Sequence, residues 1–224
     1  MSQPPTFDPR QVPVVGVDTH LPKVEPEALR PDALAQRFAT APAWTPELLA
    51  EKRFLDREPV HASVLVPLVV RERVTVLLTQ RTSHLSSHSG QIAFPGGKAD
   101  PQDRDAVATA LREAQEEIGL DPAYVQVLGS LPIYSTGSAF LVTPVVALVQ
   151  TGFRIAANDF EVADVFEVPL EFLMDPANHR RHVVEWAGAR REWLSMPYQD
   201  GQVERFVWGA TAGMLRNLYG FLRA

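Results

Sequence analysis

The sequence predicts an α+β fold or a layered α/β/α sandwich, in one domain behind an N-terminal extension, and three observations support this organisation. Segments with strand and helix patterns follow one another without the regular β-α-β alternation of a doubly wound sheet. Apolar residues make up 46% of the 224 residues and charged residues 21%, as in ordinary globular proteins. Nine of the 19 prolines lie in residues 1–46. We therefore predict a proline-rich extension over residues 1–58 and one domain over residues 59–224.

Within the extension, the sequence predicts two short helices, over residues 31–38 and 46–54. Each begins with a proline, which is tolerated in the first turn of a helix. The rest of the extension is expected to wrap around the domain or to reach into solvent.

The first half of the domain is predicted to form a hairpin, a loop and a helix. Apolar runs at residues 64–70 and 74–79 predict two strands, joined by the charged break at residues 71–73. A polar loop over residues 81–91 precedes a short strand at residues 92–94. A helix is expected over residues 105–118, because Gly119 is a good residue to end it.

The second half is expected to form strands at residues 125–131, 141–149 and 162–168, and then a short helix at residues 170–174. Residues 181–186, 192–196 and 203–208 resemble a meander, with Asp200-Gly201 as a tight turn. The last helix, residues 209–222, carries an apolar side. That side contains Ala212, Leu215, Leu218, Tyr219 and Leu222.

Composition excludes several classes of protein. The absence of cysteine rules out disulfide scaffolds, cysteine-ligated metal sites and a cysteine nucleophile. The net charge of −6 argues against binding to nucleic acid or to an anionic membrane. No apolar run approaches the roughly 20 residues that a membrane-spanning helix needs. A cytoplasmic location is the expectation.

The predicted helix at residues 105–118 carries an acidic cluster. Glu113, Glu116 and Glu117 are spaced i, i+3 and i+4, so they share an arc of about 100°. Their charges repel, and no lysine follows at i+4 to relieve them. Two interpretations fit: a solvated acidic face, or a site for Mg²⁺ or Mn²⁺, which prefer oxygen ligands.

The glycines upstream of this helix favour the interpretation as a metal site. Gly96 and Gly97 allow the backbone to approach a bound anion closely. The run Gly97…Arg112-Glu113-Ala114-x-Glu116-Glu117-x-Gly119-Leu120 resembles the signature of the Nudix hydrolases. In two respects it departs from the general signature. The segment between Gly97 and Arg112 is one residue longer, and Asp103 takes roughly the place of a loop glutamate, so Asp103 is not counted as a ligand.

A second block resembles the coenzyme A (CoA) pyrophosphatase branch of that family. It runs over residues 77–97, as Leu-Leu-Thr-Gln-Arg, then His-Ser-Gly-Gln, then Phe-Pro-Gly-Gly. The longer Nudix loop is also usual in this branch. Thr82 stands where a serine or alanine is typical, and Ser86 stands where the branch usually has arginine. The resemblance covers about residues 60–222.

This resemblance implies a Nudix-type α/β/α sandwich with a mixed sheet and a catalytic loop and helix. It implies hydrolysis of the pyrophosphate in CoA or a CoA derivative to 3′,5′-ADP and 4′-phosphopantetheine or its acyl form. Mg²⁺ or Mn²⁺ would be held by Glu113, Glu116 and Glu117, with Arg112 orienting these carboxylates. Glu161, in the polar loop at residues 158–161, is a candidate further ligand or general base, or else a surface acid.

Substrate contacts are expected from the second block. The candidates are Arg81, His88, Gln91, Gly96 and Gly97. Arg81 would grip a phosphate or else is an ordinary structural arginine, and His88 would serve a structural or substrate-contact role. The basic clusters at residues 179–182 and 190–191 would bind a 3′-phosphate or form a solvated hairpin.

Two rival functions stay open from the sequence: a Nudix hydrolase of another nucleoside diphosphate derivative such as ADP-ribose, and a non-catalytic Nudix-fold binding module. The expected partner is a small-molecule substrate. The extension is expected either to cover the active site or to pair two subunits as a homodimer.

Overall fold

The computed structural model describes residues 8–53, 57–83, 90–186 and 189–224. The helices are α1 (Pro31–Ala39), α2 (Ala106–Ile118), α3 (Leu170–Leu173) and α4 (Gly209–Arg223). The strands are β1 (Val14–Val17), β2 (Val60–Val69), β3 (Thr75–Arg81), β4 (Ile92–Ala93), β5 (Gly96–Lys98), β6 (Val125–Ser130), β7 (Tyr134–Ser135), β8 (Phe140–Val149), β9 (Val162–Pro169), β10 (Arg180–Trp186), β11 (Ala189–Asp200) and β12 (Val203–Trp208).

The larger sheet is mixed, as the sequence predicts. In the described part of the chain its main order is β4-β3-β2-β8-β6, with β5 paired to β2, β7 to β8 and β9 to β3. Strands β2 and β8 run parallel over their whole length, and the other pairs are antiparallel. The predicted hairpin of the first two domain strands is confirmed by the pairing of β2 with β3.

The two faces of this sheet bury separate cores, because successive side chains of a strand point to opposite faces. Leu65 and Val69 of β2 pack with helix α2, together with Val145 of β8. Val66 and Leu68 pack on the other face, in the cluster that contains helix α4 and the second sheet. The structure is therefore α+β with helices on both sides of a mixed sheet, as predicted.

The second sheet has the order β1-β10-β11-β12 in the described residues. Strands β10, β11 and β12 form the predicted meander, and Asp200 pairs with Val203 across the turn at Gly201. Gly201 has φ +58°, which a glycine adopts at little cost. Strand β1 was not predicted; it comes from the extension and pairs with β10.

The extension packs on the domain in its described part. Helix α1 confirms the first predicted helix, and Leu34 on it is fully buried. The prediction of a second helix over residues 46–54 is wrong for residues 46–53, which form no helix. The backbone of this segment pairs elsewhere: Leu49 accepts from the Ser135 amide at 2.8 Å and Glu51 donates to the Ser135 carbonyl at 2.8 Å. These tertiary hydrogen bonds replace the helical ones; residues 54–56 lie outside the described residues.

A buried ionic network ties the extension to the domain. Asp18 is 3% exposed and pairs with Arg181 of β10 at 2.7 Å and with Arg216 of α4 at 3.1 Å. Glu47 accepts from both arginines, at 2.7 and 2.6 Å. A charge withdrawn from water needs such partners, so these pairs place the extension on the domain.

The network corrects the interpretation of the basic cluster at residues 179–182 as a solvated hairpin. His179 and His182 are buried, with 0% and 2% of their surface exposed. His179 bonds the Leu173 carbonyl at 2.8 Å and Arg216 at 3.0 Å, and His182 bonds Ser195 at 2.8 Å. No helix in the described part of the chain is long and apolar enough to cross a membrane.

Candidate active site

Helix α2 positions the acidic cluster, and its ends are set by local sequence. The Asp105 side chain accepts from the Ala108 amide at 2.8 Å, which caps the first turn. Gly119 ends the helix in the left-handed conformation, with φ +68°. Ala114 and Ile118 are buried against the sheet. On the neighbouring face, Glu117 and Glu113 contact Gly96 and Gly97 of strand β5.

Glu113 lies directly against Gly97. A Cβ atom placed on Gly97 would collide with the carboxylate of Glu113. Any residue with a side chain at this position would displace that carboxylate, so the close approach explains the glycine. The pKa of Glu113 is raised, first by burial and further by the charges of Glu116 and Glu161.

Arg112 organises the outer part of the cluster. Its Nη1 atom donates to Glu113 Oε1 and to Glu116 Oε2, both at 2.9 Å. Its Nε and Nη2 atoms donate to the two carboxylate oxygens of Asp103 at 3.0 and 2.9 Å, and Nη2 also donates to the Lys98 carbonyl at 3.0 Å. Arg112 thus places positive charge beside Glu113 and Glu116, and it also contacts both carboxylate oxygens of Asp103.

Glu117 is the most buried of the three carboxylates, with 7% of its side chain exposed. Its Oε2 atom accepts from the Gly96 amide at 3.0 Å, and its Oε1 atom lies 3.8 Å from Arg81 Nη1. Burial is the main cause that raises the pKa of Glu117 to about 7, and the charges of Glu113 and Glu161 raise it further. Glu117 is thus held at the junction of α2, β3 and β5.

Glu161 reaches the same cluster from a turn before strand β9. Its amide donates to the Asn158 carbonyl at 2.9 Å, which closes the turn. Its carboxylate is close enough to Glu113 and Glu117 for its charge to raise the pKa of each. The structure therefore brings together four carboxylates that lie up to 48 residues apart in the sequence.

Of the predicted substrate contacts, Arg81 has a distinctive environment. Its Nε atom is buried and has no hydrogen-bond partner among the described residues, and its nearest carboxylate is Glu117. Its amide donates to the Gln91 carbonyl at 2.9 Å, so Gln91 lies beside it. His88 and Ser86 lie outside the described residues.

No three acidic or histidine side chains among the described residues are arranged as a ready-made metal site. Glu113 and Glu116 each give one carboxylate oxygen to Arg112. The donor set around the cluster is nevertheless of the kind that suits a hard divalent cation, since it consists of carboxylate oxygens in a half-buried site.

The chain matches a known protein family over most of its domain. The NUDIX domain model matches residues 59–187, more than half of the chain, including α2 and the Glu161 turn. The chain is a Nudix hydrolase. Enzymes of this family are pyrophosphohydrolases and generally use divalent metal ions.

Two relatives of the chain carry the same family name. The chain is 42% identical to the uncharacterised Nudix hydrolase NudL of Yersinia enterocolitica over 158 residues, covering 70% of this chain and 79% of that protein. It is 37% identical to NudL of Yersinia pestis, covering 76% and 84%. A solved structure, the Ap4A hydrolase of C. elegans in a binary complex, matches 53% of this Nudix hydrolase and 85% of that chain, with 22% identity and a TM-score of 0.43.

Proposed function

We propose that this Nudix hydrolase cleaves the pyrophosphate bond of CoA or a CoA derivative, giving 3′,5′-ADP and 4′-phosphopantetheine or its acyl form. The observation that carries the proposal is the contact between the CoA-type block, residues 77–97, and the acidic helix. Gly96 donates to Glu117, Gly97 lies against Glu113, and Arg81 faces Glu117. Three described residues of the block that resembles the CoA branch, Arg81, Gly96 and Gly97, therefore lie beside the acidic cluster.

The carboxylates of Glu113, Glu116 and Glu117 would hold the divalent ion, Mg²⁺ or Mn²⁺. Their oxygen donors and the cradle at Gly97 fit such an ion. When bound, it supplies positive charge for the diphosphate and an activated water molecule. This matters electrostatically because the chain carries a net charge of −6 and would otherwise repel an anionic substrate.

The chain's own groups have separate roles in this proposal. Arg112 orients Glu113 and Glu116 through its Nη1 atom. Arg81, whose side chain is 26% exposed, would bind a phosphate oxygen of the substrate through its guanidinium group. Glu161 is the proposed general base, because it adjoins the buried carboxylates but comes from a different element.

Product analysis tests the function. The protein is incubated with CoA, ADP-ribose and a dinucleoside polyphosphate, each with Mg²⁺ or Mn²⁺. Release of 3′,5′-ADP from CoA, lost in Glu117→Gln and kept in Glu72→Gln, is the expected result. Glu72 is the matched control, since it is an exposed carboxylate in the β2–β3 hairpin.

Cleavage of another diphosphate with CoA left intact would refute the CoA assignment and retain the Nudix reaction. Ion binding without cleavage of any substrate would refute the proposed reaction and favour a binding module. The domain boundary at residues 58 and 59, a homodimeric assembly and a cytoplasmic location stay predictions from the sequence.

A further inference from the structure

The turn that carries Glu161 is attached to helix α2 by main-chain hydrogen bonds. The Asn158 amide donates to the Glu117 carbonyl at 2.8 Å, and the Ala156 amide donates to the Ile118 carbonyl at 2.9 Å. Within the turn, residues 158–161, the Phe160 amide donates to Asn158 Oδ1 at 3.2 Å. One side of the turn is therefore linked to the residue that carries the buried carboxylate.

Thr82 fastens the opposite side of the same turn. Its amide donates to the Glu161 carbonyl at 3.0 Å, and its hydroxyl donates to the Phe160 carbonyl at 2.9 Å. Thr82 is 6% exposed and directly follows Arg81, the last residue of β3. Its two bonds thus reach the carbonyl groups on both sides of the Glu161 Cα atom.

The side-chain bond lies where the strand ladder is irregular. Gln80 pairs with Asp164 and Arg81 pairs with Val162, so Ala163 has no partner in β3. Such a bulge bends the strand and shifts the direction of the residues beyond it. Just beyond this irregularity and past the last residue of β3, the Thr82 hydroxyl adds a bond to the Phe160 carbonyl.

We infer that Thr82 is a positioning residue, which fixes the Glu161 carboxylate relative to Arg81 and to the carboxylates of α2. This inference rests on the proposed function, in which Glu161 takes part in hydrolysis. Thr82 contacts the main chain of the turn, so it acts through Glu161. Small displacements of a reacting group lower the rate strongly, so the loss of one anchor is expected to reduce turnover more than affinity.

Two variants isolate the hydroxyl. Thr82→Val keeps the branched shape and the amide donor but removes the hydroxyl, and Thr82→Ser keeps the hydroxyl. With CoA and saturating Mn²⁺, we expect kcat of Thr82→Val to fall roughly tenfold with KM within about twofold, and Thr82→Ser to stay within about twofold of the wild type. In a Glu161→Gln background, Thr82→Val is expected to cause no further loss.

Hydrogen exchange gives a readout that does not depend on activity. In Thr82→Val the amides of Glu161 and Val162, which bond the Asn158 carbonyl, are expected to exchange faster, whereas those of helix α2 keep the wild-type rate. Wild-type kcat and exchange in Thr82→Val, or an equal loss of kcat in both backgrounds, would overturn the inference. If the wild type cleaves no pyrophosphate substrate, the proposed function fails, and Thr82 then has no positioning role in hydrolysis even if exchange shows that it holds the turn.

Discussion

Replacing Glu117 by glutamine is expected to stabilise the metal-free protein above neutral pH while abolishing hydrolysis. The carboxylate is nearly buried, and burial raises its pKa from the ordinary 4.5 to about 7. A charged group that is buried in the folded protein loses its contact with water, and this loss destabilises the folded state. Glutamine keeps the shape and can still accept from the Gly96 amide, so the variant removes little besides the charge.

The sign and the size follow from proton linkage. Between pH 4.5 and about 7 the folded state retains a proton that the unfolded state has released, so the stability of the wild type falls as pH rises through this window. At 1.36 kcal/mol for each pKa unit, the cost is under about 1 kcal/mol at pH 5 and about 3 kcal/mol at pH 8. Glutamine does not titrate, so the advantage of the variant should grow by this difference.

Urea unfolding in the presence of EDTA, at pH 5 and at pH 8, measures this effect. The free energy of unfolding of Glu117→Gln should exceed that of the wild type by about 3 kcal/mol at pH 8 and by much less at pH 5. The exposed control Glu72→Gln should show no such difference. A variant that is no more stable than the wild type at pH 8, or equally stabilised at both pH values, would refute the assignment of a buried, reluctantly ionised carboxylate.

Three further outcomes are expected. Arg81→Lys should raise KM for CoA about tenfold in steady-state kinetics, because an ammonium lacks the planar two-point geometry of the guanidinium group. Gly97→Ala should lower kcat at least roughly tenfold, since its methyl group collides with the carboxylate of Glu113; unchanged turnover would contradict this geometry. Asp18→Asn should lower the free energy of urea unfolding by about 3 kcal/mol, because Arg216, 3% exposed, would lose its buried countercharge and keep only the partly exposed Glu47.

Helix α2 is the part of the site that local sequence predicts. The spacing of Glu113, Glu116 and Glu117, the cap at Asp105 and the stop at Gly119 are all set by residues within a few positions of each other. Helical hydrogen bonds join residues four apart, so the sequence predicts which side chains share a face. The bounds predicted for this helix agree with the structure to within one residue.

The contacts that this helix makes with residues outside it could not be predicted in the same way. Arg112 pairs with Asp103 nine residues earlier through a loop, and Glu117 meets Gly96 across 21 residues. The Thr82 hydroxyl bonds a carbonyl 78 residues away. Local periodicity carries no information about which loop will pack against which helix.

The extension gives the clearest division between sequence and tertiary structure. Its proline content and the helix at residues 31–39 were predictable from local preferences, because proline restricts its own backbone and tolerates a first turn. Strand β1 and the failure of the second helix were decided by pairing with β10 and with Ser135. Asp18 pairs with Arg181, which lies 163 residues later in the sequence. The sequence by itself determined the acidic helix and the family signature, whereas long-range hydrogen bonds and buried charges decided where the extension lies and how the carboxylates are held.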